Sequence, residues 1–256
     1  MMSNSGRLSP EQLQAYREEG FVLLPDYFSA EVMDALRVHI DVFDEANNRR
    51  IQAEGSGFVQ VANQIIFTNA INFLDPTIQA FTAQQKFVDL TTQLLGPDVR
   101  LYWDQSVYKR PEAKRDFPWH QDNGYQRIEP EHYTTCWIAL EDATIQNGCV
   151  WVLPRTHRQG VVEHRKTDIG LQCYFGDDPG APVELRKGGM AVFQSTLFHR
   201  SGPNLSSGMR KAYITQYSPV GAYAVATGEV FDNGPVIARD GVSVYTGFYQ
   251  KAAKSG

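Results

Sequence analysis

Three side chains in this sequence have the types and spacing to hold one metal ion. In Phe117-Pro118-Trp119-His120-Gln121-Asp122, an imidazole and a carboxylate stand two residues apart. On an extended strand, residues i and i+2 point to the same face, so both can reach a single ion. The second imidazole must come from elsewhere, and His199 in Phe198-His199-Arg200-Ser201-Gly202 is the candidate. Two imidazoles and one carboxylate with the remaining positions open form the donor set of non-haem Fe(II) oxygenases. An isolated H-x-D arises often by chance. The distal histidine, and Arg210 a short turn beyond it, make the pattern specific.

Arg210 follows the turn Gly202-Pro203-Asn204-Leu205-Ser206-Ser207-Gly208. A hairpin of that length returns it beside the strand that carries His199. A guanidinium grips a carboxylate at two points, so Arg210 suits the far carboxylate of a dicarboxylic acid. Ser201 shares a face with His199 if the strand is extended, and can donate to the same group. A surface ion pair is the plainer fate of such an arginine.

The run Val99–Lys109 sorts by parity. Val99, Leu101, Trp103, Gln105, Val107 and Lys109 fall on one face. If Trp103 and Val107 point inward, Gln105 and Lys109 do too, and both then need buried partners that an anionic cosubstrate would supply. Thr135 and Trp137 share a face by the same rule. Asn123 and Tyr125, just past the motif, and Asn63, upstream, are candidate substrate contacts.

These side chains need elements to position them. Ser9-Pro10-Glu11-Gln12 carries a cap, a proline for the first turn and a capping-box glutamine, so a helix opens there and Gly20 stops it. Phe21–Leu24 reads as a short strand. Ser29 caps a second helix with Val32, Leu36, Ile40 and Phe43 along one stripe. The polar span 47–57 reads as a loop and 59–67 as a strand. A helical region with a break begins at Asp75-Pro76 and ends at Gly96-Pro97. From Val99 the texture changes to short β runs: Val99–Lys109, Thr134–Leu140, Cys149–Leu153, Met190–Phe193 and Lys211–Tyr217. Helices first and strands after predict an α+β fold with a mainly β core and N-terminal helices packed on it. A single domain spanning 1–256 is expected, mostly helical over 1–98, with the β core at 99–220. The Asp-, Gly- and Pro-rich segment 158–185 is expected to be a lid inserted over the mouth.

A charged fraction of 21% and a hydrophobic fraction of 42% suit a globular chain that buries its own core. Net charge −5 argues against nucleic acid or an anionic membrane as partner and leaves a small molecule. Nothing chooses between monomer and dimer. Cys136, Cys149 and Cys173 form no C-x-x-C and read as free thiols, which fits a reducing cytoplasm. Met1 to Pro10 is polar and lacks the apolar stretch of a signal peptide.

The order Trp119-His120-Gln121-Asp122, Trp137-Ile138-Ala139-Leu140-Glu141-Asp142, Asn147-Gly148-Cys149, Leu153-Pro154-Arg155-Thr156-His157, His199-Arg200-Ser201-Gly202-Pro203-Asn204 and Arg210 resembles the phytanoyl-CoA dioxygenase family. The likeness runs to about Tyr217; the tail from Val220 does not align. It implies a double-stranded β-helix, or jelly roll, using Fe(II), 2-oxoglutarate and O2. It implies His120, Asp122 and His199 as iron ligands, with Arg210 and Ser201 holding the C5 carboxylate of 2-oxoglutarate. Lys109 matches the family's cosubstrate lysine, while Gln121 and Trp137 match residues that line the same pocket. The chain departs from the family at Arg155, where glycine is usual, so a different turn is expected there.

The implied reaction is oxidation of an unactivated C–H, foremost hydroxylation, with release of succinate and CO2. Ring closure, desaturation and epimerisation use the same cofactors. Asp122 disfavours halogenation, which leaves that position to chloride. A zinc hydrolase would use the same ligand types without needing Arg210. A jelly roll that binds metal or ligand without turnover belongs to another class, and fold alone does not exclude it.

Overall fold

The computed structural model describes residues 5–250, so the first four residues of the polar leader and the last six of the tail lie outside it. Helices α1 (Pro10–Glu19), α2 (Ala30–Glu54), α3 (Pro76–Thr82) and α4 (Gln85–Leu95) come early, and one helical turn, α5 (Asp122–Tyr125), comes later. The larger antiparallel sheet has the order β1 (Phe21–Leu24), β11 (Met190–Gln194), β6 (Thr134–Ala139), β13 (Arg210–Pro219), β3 (Val99–Lys109), β15 (Val236–Arg239), β16 (Val242–Ser243), and β2 (Ile65–Asn69) also pairs with β3. The smaller sheet runs β10 (Ala181–Val183), β7 (Val150–Leu153), β12 (Phe198–Ser201), β4 (Phe117–His120). Two further pairs join β14 (Tyr223–Ala224) to β5 (Ile128–Glu129) and β8 (Arg165–Lys166) to β9 (Leu171–Gln172). Two facing antiparallel sheets make the jelly roll, as the sequence led us to expect.

Each face of the larger sheet has its own apolar layer. One packs on the helices through Leu36, Ile40, Phe87, Leu101, Ile138 and Tyr217. The other fills the space between the sheets with Val107, Trp137, Phe193, Ile214, Val150 and Val152. Tyr108 and Lys211 both reach Asp41 of α2, and Arg110 pairs with the buried Asp44 at 2.7 Å, which fixes the helix to the sheet.

Local signals held where a cap or turn residue enforced them. Ser9 and Gln12 close the capping box, and Gly20 ends α1 in the left-handed region at φ 87°. Three expectations fail. The span 47–57 is not a loop: α2 runs to Glu54, because Ile51 is buried and Arg49–Glu45 and Arg50–Glu54 pair at i,i+4 spacing. The strand expected over 59–67 begins only at Ile65. Val32 is exposed and Met33 is buried in its place.

The segment 158–185 is more than an insertion. Its end supplies β10, which pairs with β7, and Val183 and Leu185 are buried. The unaligned tail also reaches the larger sheet, through β15 beside the start of β3. The N-terminal part likewise contributes β1 and β2 to that sheet, so it is not a purely helical layer.

The register of β3 carries the main surprise. Gln216 pairs with Trp103, and the next residue, Tyr217, pairs with Leu101, so Tyr102 has no partner. This one-residue bulge inverts the alternation. Val99 and Leu101 face the helices, whereas Val107 faces the other sheet. The shared face expected for all six odd-numbered residues is therefore split at Tyr102.

Candidate metal centre

His120 ends β4 and lies directly opposite His199 on β12, with ring centroids 4.1 Å apart. Asp122 is not on the strand; it opens α5. Gln121 between them is extended, at φ −109° and ψ 142°, so the carboxylate still turns to the imidazole side. The ligating atoms of His120, Asp122 and His199 all lie within 4.8 Å of one another.

The hydrogen bonds leave one free donor atom on each residue. His120 Nδ1 lies 2.8 Å from the Pro118 carbonyl, and His199 Nδ1 lies 3.0 Å from the Leu197 carbonyl. A carbonyl accepts only, so each Nδ1 carries the proton and each Nε2 keeps its lone pair. Asp122 Oδ2 accepts from Thr135 Oγ1 at 2.6 Å and from Gln216 Nε2 at 2.9 Å. That leaves Oδ1, which sits 3.4 Å from His199 Nε2.

Electrostatics treat the two imidazoles differently. Burial and the neighbouring His199 push the His120 imidazole down to about 3, so it is neutral and ready to ligate. Burial alone would lower His199 as well, but the Asp122 carboxylate outweighs it and the net shift is upward. Asp122 in turn is held below the usual carboxylate range: burial is the largest single effect and raises it, but the attraction and hydrogen bond of His199, with His120 and Thr135, together outweigh that cost.

Arg210 faces Lys109 across the β13–β3 pairing. Its guanidinium is buried and makes one hydrogen bond, from Nη1 to the Val107 carbonyl at 3.0 Å. Nε is buried without a partner, and no carboxylate pairs with the group among the described residues. Trp137 stacks beneath it, 5.4 Å from centroid to guanidinium carbon. Burial draws the guanidinium down to about 10. An unpaired buried cation is costly, and an anionic ligand is what it lacks.

The remaining expected residues divide. Ser201, Trp137, Thr135 and Gln105 line the narrow cleft between Arg210 and the triad. Lys109 does not line it. Its amine is spent on Ser201 Oγ at 3.2 Å and on the Ser201 and Gly202 carbonyls. Burial, then repulsion from Arg210, brings this amine down to about 7. Gln121 is fully buried and binds protein only: it donates to the Gly160 and Thr196 carbonyls and accepts from Val162 N–H. These bonds tie it to the 158–164 stretch and to Thr196, and it does not line the cleft.

Of the expected substrate contacts, Tyr125 lines a chamber beside the triad and meets His120 edge-on at 5.5 Å. Asn123 is buried and closes a local loop onto Ile128 and Glu131. Asn63 bonds to Asn48 and Gln52 on α2, outside the chamber. Gln216 was missed. β13 pairs with β6 without a shift, so Gln216 shares the inter-sheet face of Ala212 and Ile214, opposite Thr135 and within reach of Asp122; parity counted from Arg210 marks that face. His164, also missed, accepts Gln121 N–H at Nε2 and so has no lone pair left for a metal.

Two spaces meet at the triad. The cleft leads to Arg210; the chamber, about 310 Å³, shares Phe67, Gln105, Phe117, His120 and Asp122 with it and extends to Tyr102, Trp103 and Tyr133. A larger groove of about 560 Å³ lies outside the smaller sheet, lined by Leu153, Phe198 and Tyr174, and contains no triad residue.

Fold and donor set together define a jelly-roll oxygenase of the non-haem iron, 2-oxoglutarate-dependent class. The comparisons then place the chain. The family model "Phytanoyl-CoA dioxygenase (PhyH)" matches residues 16–212, and the chain belongs to that family. The phytanoyl-CoA dioxygenase of Arabidopsis thaliana is 26% identical over 256 residues, covering 83% of this chain and 89% of that protein. In fold, the chain is similar to the apo form of the non-heme monooxygenase ThoJ, with TM-score 0.68, 20% identity and 88% and 82% of the two chains covered. It is also similar to the non-heme alpha ketoglutarate dependent carbocyclase SnoK from nogalamycin biosynthesis, with TM-score 0.67, 21% identity and coverage of 85% and 86%. The family's usual glycine is Arg155 here, and it holds a left-handed φ of 70° that glycine adopts freely, with its side chain on Glu19.

Proposed function

We propose that His120, Asp122 and His199 hold Fe(II), that Arg210 with Ser201 binds the C5 carboxylate of 2-oxoglutarate, and that the enzyme hydroxylates an unactivated C–H of a small organic metabolite. The observation that carries this is the convergence of Nε2, Nε2 and Oδ1 beside a buried arginine that has no counter-ion. When bound, iron with 2-oxoglutarate and O2 supplies the oxidising power, yielding succinate and CO2. The chain's own residues do the rest. The Pro118 and Leu197 carbonyls fix both imidazole tautomers. Thr135 and Gln216 occupy Asp122 Oδ2, so that Oδ1 is offered alone. Arg210 fixes the far end of the cosubstrate, and Trp137 keeps water off that contact. The chamber admits substrate.

The test is anaerobic Fe(II) titration of the wild type and of Asp122→Ala, followed by a metabolite screen scored by substrate-dependent CO2 release. Loss of stoichiometric iron in the variant is expected; retained iron and full turnover would overturn the assignment. Product mass reads the outcome: one added oxygen for hydroxylation, two lost hydrogens for desaturation or ring closure, and no change for epimerisation.

A further inference from the structure

The chamber beside the triad contains two polar groups that nothing in the fold satisfies. Tyr102 and Tyr133 both line it, at 5% and 1% exposure. Their rings meet at 5.1 Å. Neither hydroxyl has a hydrogen-bond partner among the described residues, whereas the buried hydroxyls of Tyr16, Tyr108, Tyr213 and Tyr217 all have one. Neither oxygen is sealed inside protein, so each offers an unused hydroxyl to the chamber. The bulge at Tyr102 makes this arrangement specific. With regular alternation Tyr102 and Trp103 would lie on opposite faces; with it both reach the chamber.

The rest of the lining says what kind of molecule fits. Phe67, Trp103, Phe117 and Tyr125 present ring faces and edges. No lysine or arginine lines the chamber, and the one ionised group, Asp122, is negative. With Fe(II) and 2-oxoglutarate bound, the metal's charge would be balanced by Asp122 and the cosubstrate, so a carboxylate or phosphate on the substrate would find no free cation in the chamber. At about 310 Å³ the chamber lies near the lower end of the roughly 300–1,000 Å³ usual for small-molecule sites.

We infer that Tyr102 and Tyr133 form a two-hydroxyl subsite that donates to a carbonyl or hydroxyl oxygen of a compact, uncharged, ring-bearing substrate, and so sets which C–H faces the triad. This rests on the function proposed above and adds the substrate class: a neutral oxygenated ring compound, not an acid and not a coenzyme A ester held by its phosphates. Both tyrosines are specificity residues.

Three ring probes test it, with the full chain loaded anaerobically with Fe(II) and 2-oxoglutarate and binding followed by calorimetry. They are 1-tetralone, its oxygen-free counterpart tetralin, and the anion 1-naphthoate. The wild type is expected to prefer 1-tetralone to tetralin by about fivefold or more, in line with one or two hydrogen bonds, and not to bind 1-naphthoate. Tyr102→Phe and Tyr133→Phe keep ring and packing; each should weaken 1-tetralone by about fivefold and leave tetralin unchanged. Equal affinity for ketone and hydrocarbon in the wild type, full ketone preference in both variants, or tightest binding of 1-naphthoate would each overturn the subsite. Failure of the iron assignment is seen separately, as absent Fe(II) binding before any probe is added. The ketone-to-hydrocarbon ratio on the metal-free chain then still decides the subsite.

Discussion

Gln216 reaches across the gap between the sheets and donates through Nε2 to Asp122 Oδ2 at 2.9 Å, while Thr135 Oγ1 donates to the same oxygen at 2.6 Å. One carboxylate oxygen is thus saturated from the larger sheet and the other is free beside the histidines of the smaller one. Outer partners of this kind typically change metal affinity by about 10–100-fold when removed. For Gln216→Ala we expect Fe(II) affinity to fall about tenfold, with the fold retained. Equilibrium Fe(II) titration checks this, and an unchanged dissociation constant would assign Gln216 to packing alone.

Arg210 is buried without a counter-ion among the described residues, and its proposed value to a dicarboxylate lies in the planar fork. Arg210→Lys keeps the charge and loses the second contact. The apparent KM for 2-oxoglutarate should rise about tenfold or more, equivalent to roughly 1.4 kcal/mol. Steady-state succinate formation measures it. A KM equal to wild type would remove Arg210 from the cosubstrate.

Gln121 was expected at the cosubstrate and instead fills three backbone partners around Gly160, Val162 and Thr196. Gln121→Ala orphans those groups at about 1–3 kcal/mol each before relaxation. Urea unfolding should show a loss of at least about 2 kcal/mol. A variant of wild-type stability with a raised KM for 2-oxoglutarate would restore the expected role.

Asp104 is buried and accepts from Asn72 and from the Tyr213 hydroxyl at 3.0 Å; burial, only partly offset by those bonds, raises its carboxyl to about 6. Unfolded, it titrates near 3.9. Between about 4 and 6 the unfolded chain has released this proton and the folded chain has not. The unfolded state then binds fewer protons, so this contribution is full below about 4 and is lost as pH rises through 6. Its size is on the order of 3 kcal/mol. Asp104→Asn should flatten that part of the profile. Urea unfolding at pH 4, 5, 6 and 7 compares the two, and parallel profiles would refute the assignment.

The residues of the candidate site were the most legible part of this chain. His120, Asp122, His199 and Arg210 announce themselves by type, order and nearby turn residues, and caps such as Ser9 and Gly20 mark helix ends locally. What escaped depends on long-range pairing. The bulge at Tyr102 has no glycine or proline to mark it and exists only because β13 pairs one residue short. Gln216 shares a face with Arg210 by parity, but its bond to Asp122 depends on how one sheet packs on the other. The end of α2 was hidden because a polar surface with i,i+4 pairs looks like a loop in one dimension. Lys109 was placed on the correct face, but its partners are backbone carbonyls from a distant turn, which no spacing rule encodes.

The slip at Tyr102 also divides β3 into two stretches that evolution can edit separately. Odd-numbered residues up to Leu101 face the helices, and odd-numbered residues from Trp103 onward face the space between the sheets. Insertion or deletion of one codon at the slip would exchange which aromatic rings look into the chamber. His120, Asp122 and His199, held on other segments, would stay where they are. Related chains can thus acquire new substrates by sliding a strand by one residue while inheriting the same metal site.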